Sequence, residues 1–345
     1  MTEGQIRKRI TASFNEVSHG ARLTTGISFL PGDAEDAVKL VLNASAIGKA
    51  PKDHLNMQEG SAAFEAWALL IHTHCGFCVQ LGAAEDAFPL APPYHGHYGR
   101  FLYRAMKFSE QYSGWFSLSD PLKACVNAFR VWLCGRKFCN NYPTKKPKAG
   151  TSLEYQVETA FAECKYGKEK LTSLSAQSGI LLEKDSIYHQ LPVGLFEGEK
   201  RQENSVFTYG KSAIDLWGLT ADGIAIYELK ARNRMVGILT ELMFYANYMY
   251  DLYVSRNTMQ PMPAEDQKGR KITDTGILRG YNSLYDGYCN GRFTTIHAAM
   301  LTDELHPLIT PDVIELMNTG HSSIRYYDLR YVLRQDNCPC ISGHI

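Results

Sequence analysis

The sequence predicts an α/β protein in which a mainly α-helical N-terminal domain precedes a C-terminal domain of helix, three strands, helix and strand. Three observations carry this prediction. They are a hairpin signal at Asp222-Gly223, helical periodicity of apolar residues on both sides of it, and a proline- and lysine-rich segment between the two parts. A chain of 345 residues is long enough for two domains with substantial cores.

The domain boundary is predicted within residues 141–150, where proline, glycine and three lysines come together. We therefore predict domains at residues 1–140 and 151–345, joined by a linker at 141–150. The basic linker is suited to phosphate contact, although an ordinary solubilising linker has the same composition. Segments rich in Phe, Trp, Leu and Tyr predict helices of the first domain at residues 60–81, 98–112 and 121–134.

The first helix of the C-terminal domain is predicted to begin after Ser152, because serine is a favourable N-cap residue. Its apolar stripe includes Val157 and Phe161. Glu154 and Glu158 are four residues apart and therefore share one face of this helix.

The remaining elements follow from short apolar runs and from apolar spacings of three and four residues. We predict, in order, strands at 188–196, 214–219 and 224–227, a helix at 237–252, a strand at 293–301, a helix at 311–317 and a strand at 324–333.

The length of the hairpin loop decides which polar residues meet. With a four-residue loop, Leu219 pairs with Ile224 and Asp215 stands opposite Glu228. A two-residue loop instead pairs Asp215 with Lys230, and either of these loops places all three polar residues on one face of the sheet. A three-residue loop breaks that arrangement.

Asp215, Glu228 and Lys230 form the candidate catalytic group. Two carboxylates and an ammonium are costly on a sheet face unless something occupies them. Mg²⁺ prefers carboxylate oxygens, usually one or two per site, and leaves its other positions to water and phosphate. The ion stabilises charge on a phosphate and lowers the pKa of a bound water, while the lysine orients that water or neutralises the developing charge. The pattern therefore indicates metal-assisted phosphodiester hydrolysis, although a solvated hairpin with a surface ion pair has the same spacing.

At these three residues, and in the order of elements around them, residues 151–305 resemble the PD-(D/E)xK nuclease superfamily. The resemblance implies a restriction-endonuclease-like αβββαβ core with a mixed central sheet. It also implies that Asp215 and Glu228 are metal ligands and that Lys230 assists the nucleophilic water. Ile214 replaces the proline of the motif's name, which is its least functional part.

The resemblance further implies roles for residues on the two helices. The superfamily often draws an extra acidic metal ligand from the first helix, and Glu158, which lies among apolar residues, is favoured over Glu154. Glu154 fits a first-turn acid that complements the helix dipole. Many members carry Gln-x-x-x-Tyr on the second helix, and Glu241 with Tyr245 has that spacing. These two would support the site, although a partly buried tyrosine beside a surface glutamate explains the same pattern.

The implied function is that of a Mg²⁺-dependent nuclease, with Mn²⁺ as an alternative ion, which hydrolyses phosphodiester bonds of nucleic acid. DNA is favoured over RNA, and restriction, defence and repair are the processes implied. The N-terminal domain would then recognise the substrate or a partner, and cutting of both strands would favour a two-fold homodimer. The alternative is a catalytically inactive nucleic-acid or protein interaction module that retains the fold.

Composition predicts a cytoplasmic protein that does not enter a membrane. The chain lacks a run of eighteen apolar residues, and its charged N-terminus is not followed by an apolar segment. Nine cysteines without a secretion signal indicate reduced thiols. The net charge is zero, but residues 1–150 hold 17 Lys and Arg against 12 Asp and Glu, whereas residues 151–345 hold 19 against 24. The N-terminal half is therefore the better surface for a polyanion.

Two further segments have alternative interpretations. Cys75 and Cys78 lie close to two histidines, which is compatible with a zinc or iron-sulfur site, but we favour buried thiols on a helical apolar stripe. Residues 256–292 form a long polar insertion in which basic residues alternate with tyrosines. This composition suits phosphate contact and base stacking, and equally suits a mobile surface loop.

Overall fold

The computed structural model describes residues 1–32, 34–48, 56–94, 96–207, 211–256, 259–266 and 268–333. Its helices are α1 (Glu3–Val17), α2 (Ala44–Ile47), α3 (Phe64–Cys75), α4 (Gly96–Gln111), α5 (Asp120–Cys134), α6 (Leu153–Glu163), α7 (Lys165–Gln177), α8 (Ile238–Met249), α9 (Thr275–Leu278), α10 (Tyr281–Cys289) and α11 (Pro311–Thr319). Its strands are β1 (Ile27–Pro31), β2 (Ala37–Leu42), β3 (Cys78–Ala83), β4 (Phe116–Leu118), β5 (Phe138–Asn140), β6 (Leu182–Val193), β7 (Leu195–Glu197), β8 (Ser212–Thr220), β9 (Gly223–Lys230), β10 (Met259–Gln260), β11 (Thr295–Thr302) and β12 (Ile324–Arg330). The α/β class with mixed sheets is therefore confirmed.

A five-stranded mixed sheet carries the candidate site, with its strands in the order β12-β11-β9-β8-β6. Strands β6, β8 and β9 are antiparallel neighbours, whereas β9, β11 and β12 run parallel. The parallel step from β9 to β11 requires a crossover, and α8 lies within it. The sheet elements predicted from sequence are present within a few residues, except that β6 begins earlier, at Leu182.

Helices cover both faces of this sheet. On one face α8 is buried along its whole length, because the sheet lies on one side of it and α3 on the other. On the other face α6 and α7 cover a second apolar cluster that includes Phe161, Tyr227 and Leu301. The Ser152 hydroxyl accepts from the Tyr155 amide at 3.2 Å, so the predicted N-cap of α6 is confirmed. No helix in the described ranges combines the length and the apolar character needed to cross a bilayer.

The N-terminal half contains a sheet that the sequence analysis did not predict. Strands β1, β2, β3 and β4 form it in that order, so the description of this half as mainly α-helical is incomplete. The predicted helix over residues 60–81 ends at Cys75, because Gly76 adopts a left-handed conformation with φ +68°. The chain then continues as β3, so the predicted helix joined a helix and a strand across the turn at Gly76.

The two halves of the chain share buried structure. One apolar cluster contains residues of α1, α3 and α4 together with residues of α8 and β9. At the start of α8, a Cβ on Gly237 would lie 2.0 Å from the Gln58 carbonyl oxygen, so only glycine permits this approach. The predicted domain boundaries stay a prediction, but α8 depends on contacts from both halves.

A buried ion pair ties α3 to α4 and α8. The Arg104 guanidinium donates to both oxygens of Glu65, with Nε 2.7 Å from Oε1, and also donates to the Ala62 carbonyl at 2.8 Å. The Thr240 hydroxyl donates to Glu65 Oε2 at 3.1 Å. Both charged side chains are almost fully buried, so neither can lose its partner without a large desolvation cost.

Replacing Arg104 with Met should lower the free energy of unfolding by about 3–5 kcal/mol, because the Glu65 carboxylate would remain buried without its cation. Adding Glu65→Gln to this variant should recover part of the loss. The matched control is Arg130→Met, which removes an exposed pair with Glu110 and should change stability by less than about 1 kcal/mol. Urea unfolding of the four proteins measures these differences, and similar losses in the two Arg variants would contradict the assignment.

Candidate active site

The β8–β9 hairpin has the register that a four-residue loop requires. Leu219 pairs with Ile224, and the ladder continues to Leu216 and Tyr227. The next residues in the two strands are Asp215 and Glu228. Beyond the Leu216–Tyr227 pair, at what we call the open end of the ladder, the Asp215 side chain accepts a hydrogen bond from the Leu229 amide at 3.0 Å. The carboxylate therefore lies between the two strands.

Lys230 lies in a buried group of carboxylates. Its ammonium donates to Glu228 Oε1 and to the Leu229 carbonyl at 3.0 Å, and it lies 3.8 Å from Glu241 Oε2. Glu228 and Lys230 are 2% and 4% exposed. An ion pair this deeply buried is retained against a desolvation penalty, which distinguishes it from the surface pair that the sequence alone allowed.

Helix α8 supplies Glu241 and Tyr245, the pair predicted from the Gln-x-x-x-Tyr spacing. Both are buried, and the Tyr245 hydroxyl donates to Glu241 Oε1 at 2.9 Å. The other Glu241 oxygen is buried and has no hydrogen-bond partner among the described residues. The tyrosine therefore orients a carboxylate that faces Lys230.

Helix α6 supplies Glu158, which is buried with both of its oxygens hydrogen-bonded. His189 Nδ1 lies 2.9 Å from Oε1, and the Gln190 amide donates to Oε2 at 2.7 Å. Glu158 is near enough to Asp215 to raise the pKa of that carboxyl. Glu154 lies in the first turn of α6 and is only partly buried. The geometry thus places Glu158, and not Glu154, at the candidate site.

Sequence reasoning missed His189 and Gln190, which sit on β6 beside the site. His189 pairs with Leu216 and Leu191 pairs with Ile214, so Gln190 stands across the ladder from Asp215. Gln190 has φ +52°, a left-handed conformation that is strained for a non-glycine residue. Nothing in the residue pattern marks this position, since the strain is produced by tertiary contacts.

Arg279 is the tertiary contact that holds this part of β6. Its guanidinium donates to the His189 carbonyl at 3.0 Å and to the Gln190 carbonyl at 2.7 Å. Arg279 belongs to the 256–292 insertion, whose described residues include regular structure. It contains α9 and α10, and Tyr281 is fully buried, so this tyrosine is not available for base stacking.

The N-terminal half also places a cation beside the site. Arg100 on α4 is 5% exposed. Burial and the neighbouring Arg104 lower its pKa to about 10, against the opposing effect of Tyr245 and Glu241. Arginines at positions 100 and 104 share one face of an aromatic-rich helix, and this spacing was the available sequence signal.

Burial dominates the electrostatics of the site. Desolvation raises the pKa of the Asp215 carboxyl to about 7, with Glu158 and Glu241 adding to the effect and Lys230 opposing it. Burial and the neighbouring Glu241 raise the pKa of Glu228 well above its usual value. Burial lowers the pKa of Lys230, but Glu228, Glu241 and Asp215 outweigh that effect and raise it above its ordinary value. One ammonium therefore does not balance the charge of the surrounding carboxylates, so these acids hold protons more tightly than they would in water. The ammonium itself stays protonated.

The donor set fits a hard divalent cation in its chemistry. Asp215, Glu228 and Glu241 provide carboxylate oxygens, the ligand type that Mg²⁺ and Mn²⁺ take, and one buried Glu241 oxygen has no hydrogen-bond partner among the described residues. In the part of the chain that the structure describes, no group of three or more His, Cys, Asp or Glu side chains is already arranged to hold an ion. Glu158 in particular is occupied by His189 and Gln190.

The Cys75 and Cys78 prediction needs correction. Cys75 ends α3 and is partly buried, but Cys78 is exposed at the start of β3, so the pair does not lie on one helical stripe. His72 Nδ1 lies 2.8 Å from the Phe77 carbonyl and His74 Nε2 lies 2.8 Å from the Leu308 carbonyl. These histidines thus hold the backbone around the helix end.

In metal-free protein, Asp215→Asn should become progressively more stable relative to wild type between about pH 4 and pH 7. The folded state holds the Asp215 proton more tightly than the unfolded state, so the stability it contributes is present below about pH 4 and lost as the pH rises to about 7. The difference amounts to at most about 4 kcal/mol. Urea unfolding in EDTA measures it, with exposed Asp222→Asn as the control. A constant difference across this range would contradict the raised pKa.

Comparison of the chain with models of known protein families, with curated proteins and with solved structures found no match.

Proposed function

We propose that the protein is a metal-dependent nuclease that hydrolyses phosphodiester bonds of nucleic acid, with DNA as the favoured substrate. The observation that carries this proposal is the buried Lys230 ammonium, which lies among Glu228, Glu241 and Asp215 at the open end of the β8–β9 ladder. A purely structural role gives no reason to bury an excess of carboxylates around one ammonium.

The order of elements also supports the proposal. Helix α6, strands β6, β8 and β9, helix α8 and strand β11 follow in the order that a PD-(D/E)xK core requires, and the sheet is mixed. The candidate residues lie near the carboxyl end of β9, beside the parallel strand β11. We therefore propose that the chain belongs to this superfamily.

Asp215 and Glu228 are the residues that would hold the ion, with Glu241 next to them. Mg²⁺ or Mn²⁺ bound there would stabilise negative charge on the phosphate. Hydrolysis adds the oxygen of water to phosphorus, breaks one P–O ester bond and transfers a proton to the leaving oxygen. The chain's own residues must therefore orient the water and neutralise charge on the phosphate.

Lys230 is suited to the second of these tasks. Because its pKa is raised, it stays an ammonium and acts as a hydrogen-bond donor, not as a general base. Two of its three N–H groups are used by Glu228 and the Leu229 carbonyl, which leaves one for the attacking water or for a phosphate oxygen. Tyr245 holds Glu241 in place, and His189 with Gln190 holds Glu158.

The second candidate function is a catalytically inactive interaction module that retains this fold. It is favoured by the engagement of both Glu158 oxygens and by the lack of a preformed three-ligand group in the described ranges. In this case the protein would bind nucleic acid or a partner without cutting any substrate.

Asp215→Ala should abolish cleavage of circular and linear DNA and of RNA in the presence of Mg²⁺ or Mn²⁺, because it removes a proposed ligand. The matched control is Asp222→Ala, an exposed carboxylate at the other end of the same hairpin, which should cleave at the wild-type rate. Lys230→Met should slow cleavage roughly a hundredfold, the loss expected when one charged hydrogen-bond donor to the developing negative charge is removed. Gel assays of single-turnover cleavage measure these rates, with thermal unfolding as the check of folding. Metal-dependent stabilisation of the wild type without cleavage of any substrate would support the inactive module.

Glu158→Gln should slow cleavage by roughly tenfold or more, because it removes a negative charge near Asp215 that would help to attract the divalent cation, while Glu154→Gln should leave the rate unchanged. The two variants make the same chemical change one turn apart on α6, so each controls for the other. Equal rates in both variants would remove Glu158 from the site.

A further inference from the structure

A groove lined by positive charge lies next to the candidate active site. It encloses a cavity of about 330 Å³, and no aspartate or glutamate of the described residues lines it. Its cations come from the segment after β5, from the segment between β7 and β8, and from the end of α9; they are Lys145, Lys146, Lys148, Lys200, Lys211 and Arg279. In a chain with zero net charge, six cations around one cavity form a strong local concentration of positive charge.

The groove lies beside the part of β8 that precedes Asp215. Its lining includes Ala213, two residues before Asp215, and Gln190, which faces Asp215 across the β6–β8 ladder. Arg279 lines the groove and donates to the Gln190 carbonyl. A ligand in the groove would therefore lie directly beside the strand positions that carry the candidate site.

Most of this positive charge is not neutralised by the protein. Lys145, Lys148 and Lys211 are exposed and form no ion pair with any described residue, and Lys146 lies 3.9 Å from the exposed Asp274. Lys200 donates to the Tyr142 carbonyl at 2.6 Å. Burial, with a smaller contribution from Lys145, lowers the pKa of Lys200 to about 8. An anion in the groove would relieve this repulsion.

A second cavity of about 410 Å³ adjoins the first and shares Lys146, Pro147 and Arg279 with it. Its lining adds Tyr155, which is partly exposed, and Ile187. A cavity of this size with an aromatic side chain suits a planar base, and sequence-tolerant stacking on aromatic rings accompanies backbone contact in proteins that bind single strands.

We propose that this groove binds a single-stranded segment of nucleic acid, with phosphates on the lysines and a base beside Tyr155, and directs the strand to Asp215. This inference rests on the proposed function, since the strand is taken as the substrate of that site. It deepens that function by naming the substrate class, which is a single strand or a single-stranded portion of a larger nucleic acid.

The test uses the full chain in EDTA, so that binding is measured without cleavage. Fluorescence anisotropy follows a labelled single-stranded DNA of about 12 nucleotides as salt increases. The triple variant Lys145→Ala, Lys148→Ala and Lys211→Ala should bind at least about tenfold more weakly at low salt. The slope of log affinity against log salt should fall in magnitude by about two, because each lost phosphate contact in a single strand contributes about 0.7.

The matched control is Lys8→Ala, Lys123→Ala and Lys184→Ala, which removes three exposed lysines outside the groove and should bind as the wild type does. Tyr155→Leu should weaken binding of the oligonucleotide but leave binding of inorganic polyphosphate unchanged. Equal losses in the two triple variants, or an affinity for blunt duplex as high as for the single strand, would overturn the inference.

Different results would contradict the groove proposal and the nuclease proposal. Loss of single-strand binding in the triple variant at Lys145, Lys148 and Lys211, the groove variant, supports the inference even if no metal ion produces cleavage. Conversely, a groove variant that cleaves single-stranded DNA with unchanged KM overturns the inference and leaves the nuclease proposal standing.

Discussion

The Lys230 ammonium and the carboxylates around it are the constraint on which the rest of the structure depends. Removing an ammonium and carboxylates from water costs several kcal/mol per ion, and the cost is offset only if their partners are held in place. Glu228 lies two residues away on the same strand, but Glu241 comes from α8 and Asp215 from β8. The pairing of β8 with β9 and the placement of α8 on the sheet are therefore both required.

Helix α8 has its position fixed by the N-terminal half. All twelve of its residues are buried, so its location is set by packing on every side. Glu65 on α3 accepts from Thr240, and Arg100 on α4 lies near Glu241 and Tyr245. Helices α3 and α4 therefore form part of the environment of the candidate site.

Arg279, from an insertion whose composition suggested a mobile or stacking surface, fixes part of β6. The Arg279 guanidinium donates hydrogen bonds to the carbonyls of His189 and Gln190 on β6. Gln190 adopts a left-handed backbone conformation. That conformation stores strain, which persists only because the surroundings fix it. In this conformation the Gln190 side-chain amide donates to Glu158. Arg279 also lines the positively charged groove described above.

The sequence by itself determined the elements whose periodicity is strong and local. The β8–β9 hairpin followed from the apolar runs and the Asp-Gly turn, but these left its loop length open, and the structure fixed the register. The N-cap of α6 followed from Ser152, and the meeting of Glu241 with Tyr245 from their separation by one helical turn. These features depend on contacts between residues close in the chain, which residue patterns encode directly. The α/β class followed from their order.

Only the tertiary structure decided the rest. The N-terminal sheet was missed because its strands are only three to six residues long, too short for their alternation to identify them as strands. Burial of Lys230, the raised pKa of Asp215, the roles of His189 and Arg279, and the convergence of lysines from three segments all require residues far apart in sequence. Desolvation and long-range charge interactions depend on the complete packing around a group, and no local pattern of residues specifies them.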